Sequence, residues 1–406
     1  MAYDFTTRVD RTGCGASKWE GMFRACPDVP AGVVPLSVAD MEFVEAPEIK
    51  QAVRDVADTV LGYTGPTDAY FETVTGWMKR RHDWDVERAW IKTSPGVVPA
   101  LFQMVQAFTE PGDGVIIMPP VYYPFKMAIE STGRTVVENP LVLEADGTPD
   151  AHYEIDFADL ERKVADPASK MIIVCSPHNP VGRVWTSDEL RQLVEICLAH
   201  DVIIACDEIH NDLILPGHEH TTLAKVVPAE GLGRIAVCTA PSKTFNLAGL
   251  QCSNIIIPGE ELRERYAKTS YSLTGQHGLN AFAYPVCAAA YNGCEAWLDE
   301  LLDVLATNHQ LMVDVLGQRA PQAHVFPLEG TYLQWVDFRY LGLDKDALER
   351  FMQDKARLFL DEGALFGVSG EGFERFNIAC PTEVLAEALD RLCDALDELV
   401  SAPAAE

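Results

Sequence analysis

The sequence predicts an α/β fold with a large, mostly parallel sheet and a smaller α+β domain. Short apolar runs recur between helical stretches up to about residue 290, and the pattern changes beyond it. The runs are apolar on both faces, as strands covered on two sides must be. Strand, helix and strand also follow one another in the order that a right-handed parallel crossover requires.

The elements read in order. "GVIIM" (114–118) follows the turn signal "EPGD", and "KMIIVCSP" (170–177), "VIIACDE" (202–208), "RIAVCT" (234–239) and "CSNIIIP" (252–258) are the further strand candidates. Between the second and third lies "TSDELRQLVEICLAH" (186–200), which opens with Thr186 and Glu189 at capping-box spacing. After residue 290 a long helical stretch (295–318) leads to "AHVFP" and "TYLQWVDF", which alternate like strands. Helical stretches at 346–361 and 383–399 flank "RFNIACP", and the final "SAPAAE" reads as a frayed tail.

Bulk composition excludes several functions. With 406 residues the chain is long enough for two domains. A net charge of −29 repels phosphate backbones and anionic lipids, so nucleic-acid and membrane partners are not expected. No apolar run reaches membrane-spanning length, and the first residues carry no apolar leader. The eleven cysteines contain no CxxC, and Cys175, Cys206 and Cys238 fall in apolar runs, so reduced thiols and a cytoplasmic location are expected.

Four features stand at strand ends or loops, where doubly wound sheets bind ligands. In "SPGVVPALFQM" (94–104) a helix starts after Gly96, and the N–H groups of Val97 and Val98 can cup a phosphate. Asn179 sits between prolines in "SPHNPVGRVW" (176–185). In "CDEIHNDL" (206–213), Asp207 directly follows a buried strand and needs a partner such as a protonated heteroaromatic nitrogen; His210 can support the same ring or be a satisfied core histidine. In "TAPSKTFNLAGL" (239–250), Ser242 and Lys243 lie among apolar and small residues, a setting that depresses a lysine pKa and frees its amine for nucleophilic work. Taken singly, each has a plain reading: a helix start, a turn, a salt bridge, a surface lysine.

Taken in order, these features resemble the pyridoxal-phosphate enzymes of fold type I, the aspartate-aminotransferase fold, over nearly the whole chain. "SVADMEF", "GYTGP", "PPVYYPF", "DEIHNDL", "APSKTFNLAGLQ" and "FNIACP" resemble its cystathionine β-lyase branch. Two departures from the aminotransferase pattern favour that branch: His210 where many aminotransferases have tyrosine, and Gln251, eight residues after the lysine, where they have a phosphate-binding arginine.

The resemblance implies pyridoxal 5′-phosphate as cofactor and a division into a large domain over 46–291 and a small one from 1–45 with 292–406. It implies a catalytic set of Lys243, Tyr122 and Tyr63. Lys243 is its Schiff-base lysine, Tyr122 stacks on the pyridine face, and Tyr63 reaches the neighbouring subunit's site in a homodimer. Asp207 keeps the pyridine nitrogen protonated, Asn179 bonds the ring oxygen, and His210, Ser242, Val97 and Val98 complete the cofactor contacts. Arg375 grips the substrate α-carboxylate as a planar fork, and Asp40 and the backbone at Ala39 line the substrate mouth. The implied reaction is α,β-elimination from L-cystathionine or related amino-acid thioethers within methionine biosynthesis. An aminotransferase on the same scaffold is the alternative, and a cofactor-keeping regulatory protein a lesser one. A metal site built on "GHEH" (217–220) with His210 lacks a third ligand at standard spacing.

Overall fold

The computed structural model describes residues 2–275 and 278–401. Its strands in chain order are β1 (Ile91–Ser94), β2 (Gly114–Ile117), β3 (Thr135–Glu138), β4 (Val142–Glu144), β5 (His152–Glu154), β6 (Ser169–Cys175), β7 (Ile203–Asp207), β8 (Ile235–Thr239), β9 (Ser253–Ile256), β10 (His324–Val325), β11 (Leu333–Asp337), β12 (Asp361–Glu362) and β13 (Phe373–Asn377). Seven form one sheet in the order β1-β9-β8-β7-β6-β2-β3. The β8-β7-β6-β2-β3 block is parallel throughout, and β9 runs antiparallel to both its neighbours.

The apolar runs form this sheet because both of its faces are covered. Along β6, Met171, Ile173 and Cys175 join one core cluster, while Ile172 and Val174 join the other. Ala205 and Cys206 of β7, and Ala236 and Val237 of β8, divide in the same way. The helix Ser187–Ala199 starts as its sequence predicts: Thr186 Oγ1 accepts from Glu189 N at 3.2 Å, and Glu189 Oε2 accepts from Thr186 N at 2.7 Å.

A second, antiparallel sheet has the order β10-β11-β13-β12. The helices Glu295–Arg319 and Thr382–Ser401 match their sequence patterns. The helical reading of 346–361 is too long. The helix Lys345–Arg350 passes into a π-turn over Phe351–Lys355, and Arg357 takes a left-handed φ of 51°, ending it. Buried Leu358 and Phe359 prolong the apolar periodicity past the real terminus. The expected frayed tail, beyond its first residue, lies outside the described residues.

One extended strap joins the two sheets. Asn246, just after the lysine turn, accepts from Met41 N at 2.8 Å and donates to the carbonyls of Met41 and Phe43. From the other side, Asn377 of β13 donates to the carbonyls of Val38 and Asp40. Residues 38–43 are therefore held both by the turn after β8 and by β13.

Candidate active site

The carboxyl ends of β1, β2, β6, β7 and β8 converge, and the residues singled out in the sequence follow those ends: Val97 and Val98, Tyr122, Asn179, Asp207 and Lys243. This is where an open α/β sheet leaves a crevice.

Lys243 lies in the short helix Pro241–Thr244, directly after β8. Its Nζ donates to the Ala39 carbonyl at 2.5 Å. The same oxygen accepts from the Tyr332 hydroxyl at 2.9 Å. The amine is half-buried. Burial first, and the nearby Arg375 charge second, pull its pKa down to about 8, against the opposing pull of Asp40 and Asp207.

Asp207 closes β7, paired with Cys175 on one side and Cys238 on the other. Its carboxylate accepts one backbone hydrogen bond, from Ile209 N at 3.1 Å. Burial pushes its pKa up to about 7, and Lys243 only partly counters this. His210, three residues on, is buried edge-on to Tyr332 with ring centroids 5.8 Å apart, and its Nδ1 has no protein partner. Burial, and then the charges of Lys243 and Arg375, hold it far below the usual histidine range, so it is neutral.

Arg375 lies on β13, so the second sheet contributes to the same place. One guanidinium nitrogen donates to Asn179 Oδ1 at 2.9 Å, and another binds Asp361. The guanidinium covers the Phe366 ring at 4.8 Å, and its Nε is buried without a partner. Five donors and two occupied partners leave the fork able to take a carboxylate. Tyr122 is half-buried between Tyr123 and Phe125. Burial raises its hydroxyl pKa, which also responds to the charges of Arg375 and Asp207, placing the ring near both. Tyr123, the exposed neighbour, is 40% accessible.

Val97 and half-buried Val98 form the first turn of the helix Val97–Phe108, with Gly96 as its N-cap. Ser242 is half-buried beside Lys243. Gln251 is exposed, with a left-handed φ of 54°, and lines a cavity of about 540 Å³ together with Tyr63 and Pro95. Tyr63 itself is fully exposed within one chain.

The Asp40 carboxylate is bonded by Arg11 at 2.9 Å and Lys18 at 3.0 Å. Of the pair, it is the Ala39 carbonyl that meets the reactive amine. Sequence reasoning also missed Tyr332, Asp361, Lys18 and Glu42. Tyr332 carried a weak signal, being an aromatic at the head of the alternating "TYLQWVDF". Glu42 lay within the motif "SVADMEF" but was given no role, and Lys18 carried no signal, because only folding brings its segment to that motif.

The unmet demands of this site fit the implied cofactor. A buried carboxylate with a raised pKa calls for a cationic partner such as a protonated ring nitrogen. His210, near enough to Lys243 and Arg375 to respond to their charges, leaves its Nδ1 unpartnered, and helix N–H groups are available for a phosphate.

A family model, "Aminotransferase class I and II", matches residues 31–392. The chain belongs to that family. It is 42% identical over 397 residues to the cystathionine beta-lyase PatB of Bacillus subtilis, covering 97% of this chain and all of that protein. The crystal structure of cystalysin from Treponema denticola, which contains a pyridoxal 5′-phosphate cofactor, superposes with a TM-score of 0.95 at 46% identity, covering 98% of this chain and all of that one. The pyridoxal-phosphate-bound C–S lyase of Staphylococcus hominis does so with a TM-score of 0.89 at 32% identity, covering 98% of each.

Proposed function

We propose that the protein is a pyridoxal-phosphate-dependent carbon–sulfur β-lyase. It cleaves L-cystathionine and related cysteine S-conjugates, with water, to a thiol, pyruvate and ammonia; from cystathionine the thiol is homocysteine. The observation that carries this reading is the placement of Lys243 just after β8 and of buried Asp207 at the end of the adjacent β7, in a chain 42% identical to a curated cystathionine β-lyase over 97% of its length.

When bound, the cofactor supplies an electron sink for the carbanion formed at the substrate Cα. The remaining steps belong to the chain. Asp207 holds a proton at the ring nitrogen. Tyr122 would cover the ring face, Asn179 would meet the ring oxygen, and the amides of Val97 and Val98 with Ser242 would receive the phosphate, compensating for Gln251. Arg375 orients the substrate carboxylate and thereby the Cα–H bond. Lys243, more readily deprotonated near neutral pH than an ordinary lysine, removes the Cα proton, and the Cβ thiolate leaves.

The reading extends to organisation. The large domain covers 46–291, and the small one comprises 1–45 and 292–406. Two chains pair over the exposed segment containing Val60 (91% accessible) and Tyr63, which reaches the partner's site. The cysteines are all free among the described residues, as in a reducing cytoplasm, and release of homocysteine from cystathionine fits a role in methionine biosynthesis.

The test is incubation with L-cystathionine and no keto acid. Release of homocysteine and pyruvate supports the lyase; strict dependence on 2-oxoglutarate overturns it in favour of an aminotransferase.

A further inference from the structure

Besides Asp207 and Glu208, the sequence motif that holds them carries a further buried carboxylate, Asp212, to which the reaction above gives no role. Its surroundings are the reverse of those at Asp207. Thr244 Oγ1 donates to Asp212 Oδ2 at 2.7 Å. Trp77 Nε1 donates to the carboxylate at 3.2 and 3.3 Å, and His82 Nε2 lies 2.9 Å from Oδ1. The carboxylate and the His82 ring are almost wholly buried.

These partners come from two elements, the helix Asp68–His82 and the four-residue helix Pro241–Thr244, and Asp212 joins them from the loop after β7. A single helical turn is too short to hold its own shape, because nucleation costs more than one turn of hydrogen bonds returns. The tether at Thr244 is the next residue after Lys243. Phe245 follows, packed edge-on against the same Trp77 at 5.7 Å. Trp77 is in turn stacked on Tyr291 at 4.8 Å.

We propose that Asp212 is a positioning residue for Lys243, acting through the Thr244 hydroxyl to fix the turn that carries the reactive amine. This rests on the reading of Lys243 given above. Asp212 does not touch the reacting atoms; it anchors the backbone from which the lysine projects. Its carboxyl stays ionised despite burial, because His82 and Thr244 together outweigh the cost of desolvation.

The test compares T244V, which removes the hydroxyl at nearly constant volume, with T244S, which keeps it. T244V is expected to lower kcat about tenfold at unchanged KM, the loss of one hydrogen bond to a charged group. It should also slow, by a similar factor, the condensation of pyridoxal phosphate with cofactor-free protein, followed by visible absorbance. T244S is expected to restore both to within about twofold. Amide hydrogen exchange over 241–247 in the cofactor-free protein should be faster in T244V and wild-type-like in T244S. That readout needs no turnover, so it judges the tether even if the proposed reaction fails. Wild-type kinetics and exchange in T244V, or equal losses in T244V and T244S, would overturn the proposal.

Discussion

Two charge clusters meet at the strap 38–43, and they are built on opposite principles. At the sheet's carboxyl end, half-buried Lys243 and buried Asp207 have few partners, and both pKa values move toward neutrality, to about 8 and about 7. In the other cluster, Lys18 lies 2.8 Å from Glu42 and 3.0 Å from Asp40, Arg11 reaches both acids at 2.9 Å, and Trp19 Nε1 donates to Glu42 at 3.2 Å. There, burial would raise the pKa of Asp40, but Lys18 and Arg11 hold it below the ordinary range. Burial alone therefore does not mark a reactive group. Burial without partners leaves a group poised to exchange protons, whereas burial with a full set of partners fixes a charge and lends it to structure.

The sharpest way to break this comparison is to remove one member of each cluster. Lys243→Ala should abolish pyruvate release from cystathionine, a loss of roughly 10³-fold or more, with the circular-dichroism melt nearly unchanged. Asp207→Asn should lower kcat by about 10²–10³-fold, the usual cost of a lost electrostatic stabiliser, while retaining bound cofactor. A variant of Asp207 with wild-type kcat would contradict the contrast drawn here.

Lys18→Met should do the reverse. It strips one partner from buried Glu42 and Asp40, and breaking such a pair costs about 3–5 kcal/mol. Urea unfolding should show that loss, with kcat falling much less than in Lys243→Ala. If Lys18→Met left stability intact and abolished turnover, the structural cluster would have to be counted as part of the chemistry.

A pH measurement sharpens the same contrast. The lowered pKa of Lys243 means that its free-base fraction rises through about pH 8 rather than near the ordinary lysine value of about 10.4. In cofactor-free protein, labelling of Lys243 by an amine-selective reagent should therefore have its midpoint near pH 8, located by peptide mapping. Exposed lysines in the same digest supply the unshifted reference. A midpoint above 10 would remove the reason for treating this amine as a base at neutral pH.

How much of this was legible depends on how local each signal is. The parallel sheet showed because strands such as "KMIIVC" and "VIIAC" are buried on both faces, leaving continuous apolar runs. Asp207 and Lys243 showed because each sits directly beyond such a run. The strap did not show. Its role depends on Asn246 and Asn377, more than 130 residues apart in sequence, gripping it from two sheets. Asp40 was placed at the site by resemblance, but its partners, Arg11 and Lys18, lie in an N-terminal segment with no motif. The overlong helix at 346–361 erred for the opposite reason: buried Leu358 and Phe359 sustained the helical period after the backbone had left the helix.

The smallest expected effect falls where the two clusters meet, at the Ala39 carbonyl. This oxygen accepts from Lys243 and from Tyr332, while the next residue, Asp40, is held by Lys18 and Arg11. Tyr332→Phe removes one donor and leaves the ring packed against His210. A neutral hydrogen bond contributes about 1 kcal/mol, so stability should fall by about that much. Lys243 keeps its acceptor, so kcat should fall by no more than about fivefold, as expected when an interaction of that size is lost from a group beside the base. The informative readout is the labelling midpoint of Lys243. With Tyr332 gone, the carbonyl's electron density is offered to the ammonium alone, which favours the charged form, so the midpoint should rise above that of wild type. A fall would mean that the tyrosine, and not the carbonyl, holds the amine's proton in place.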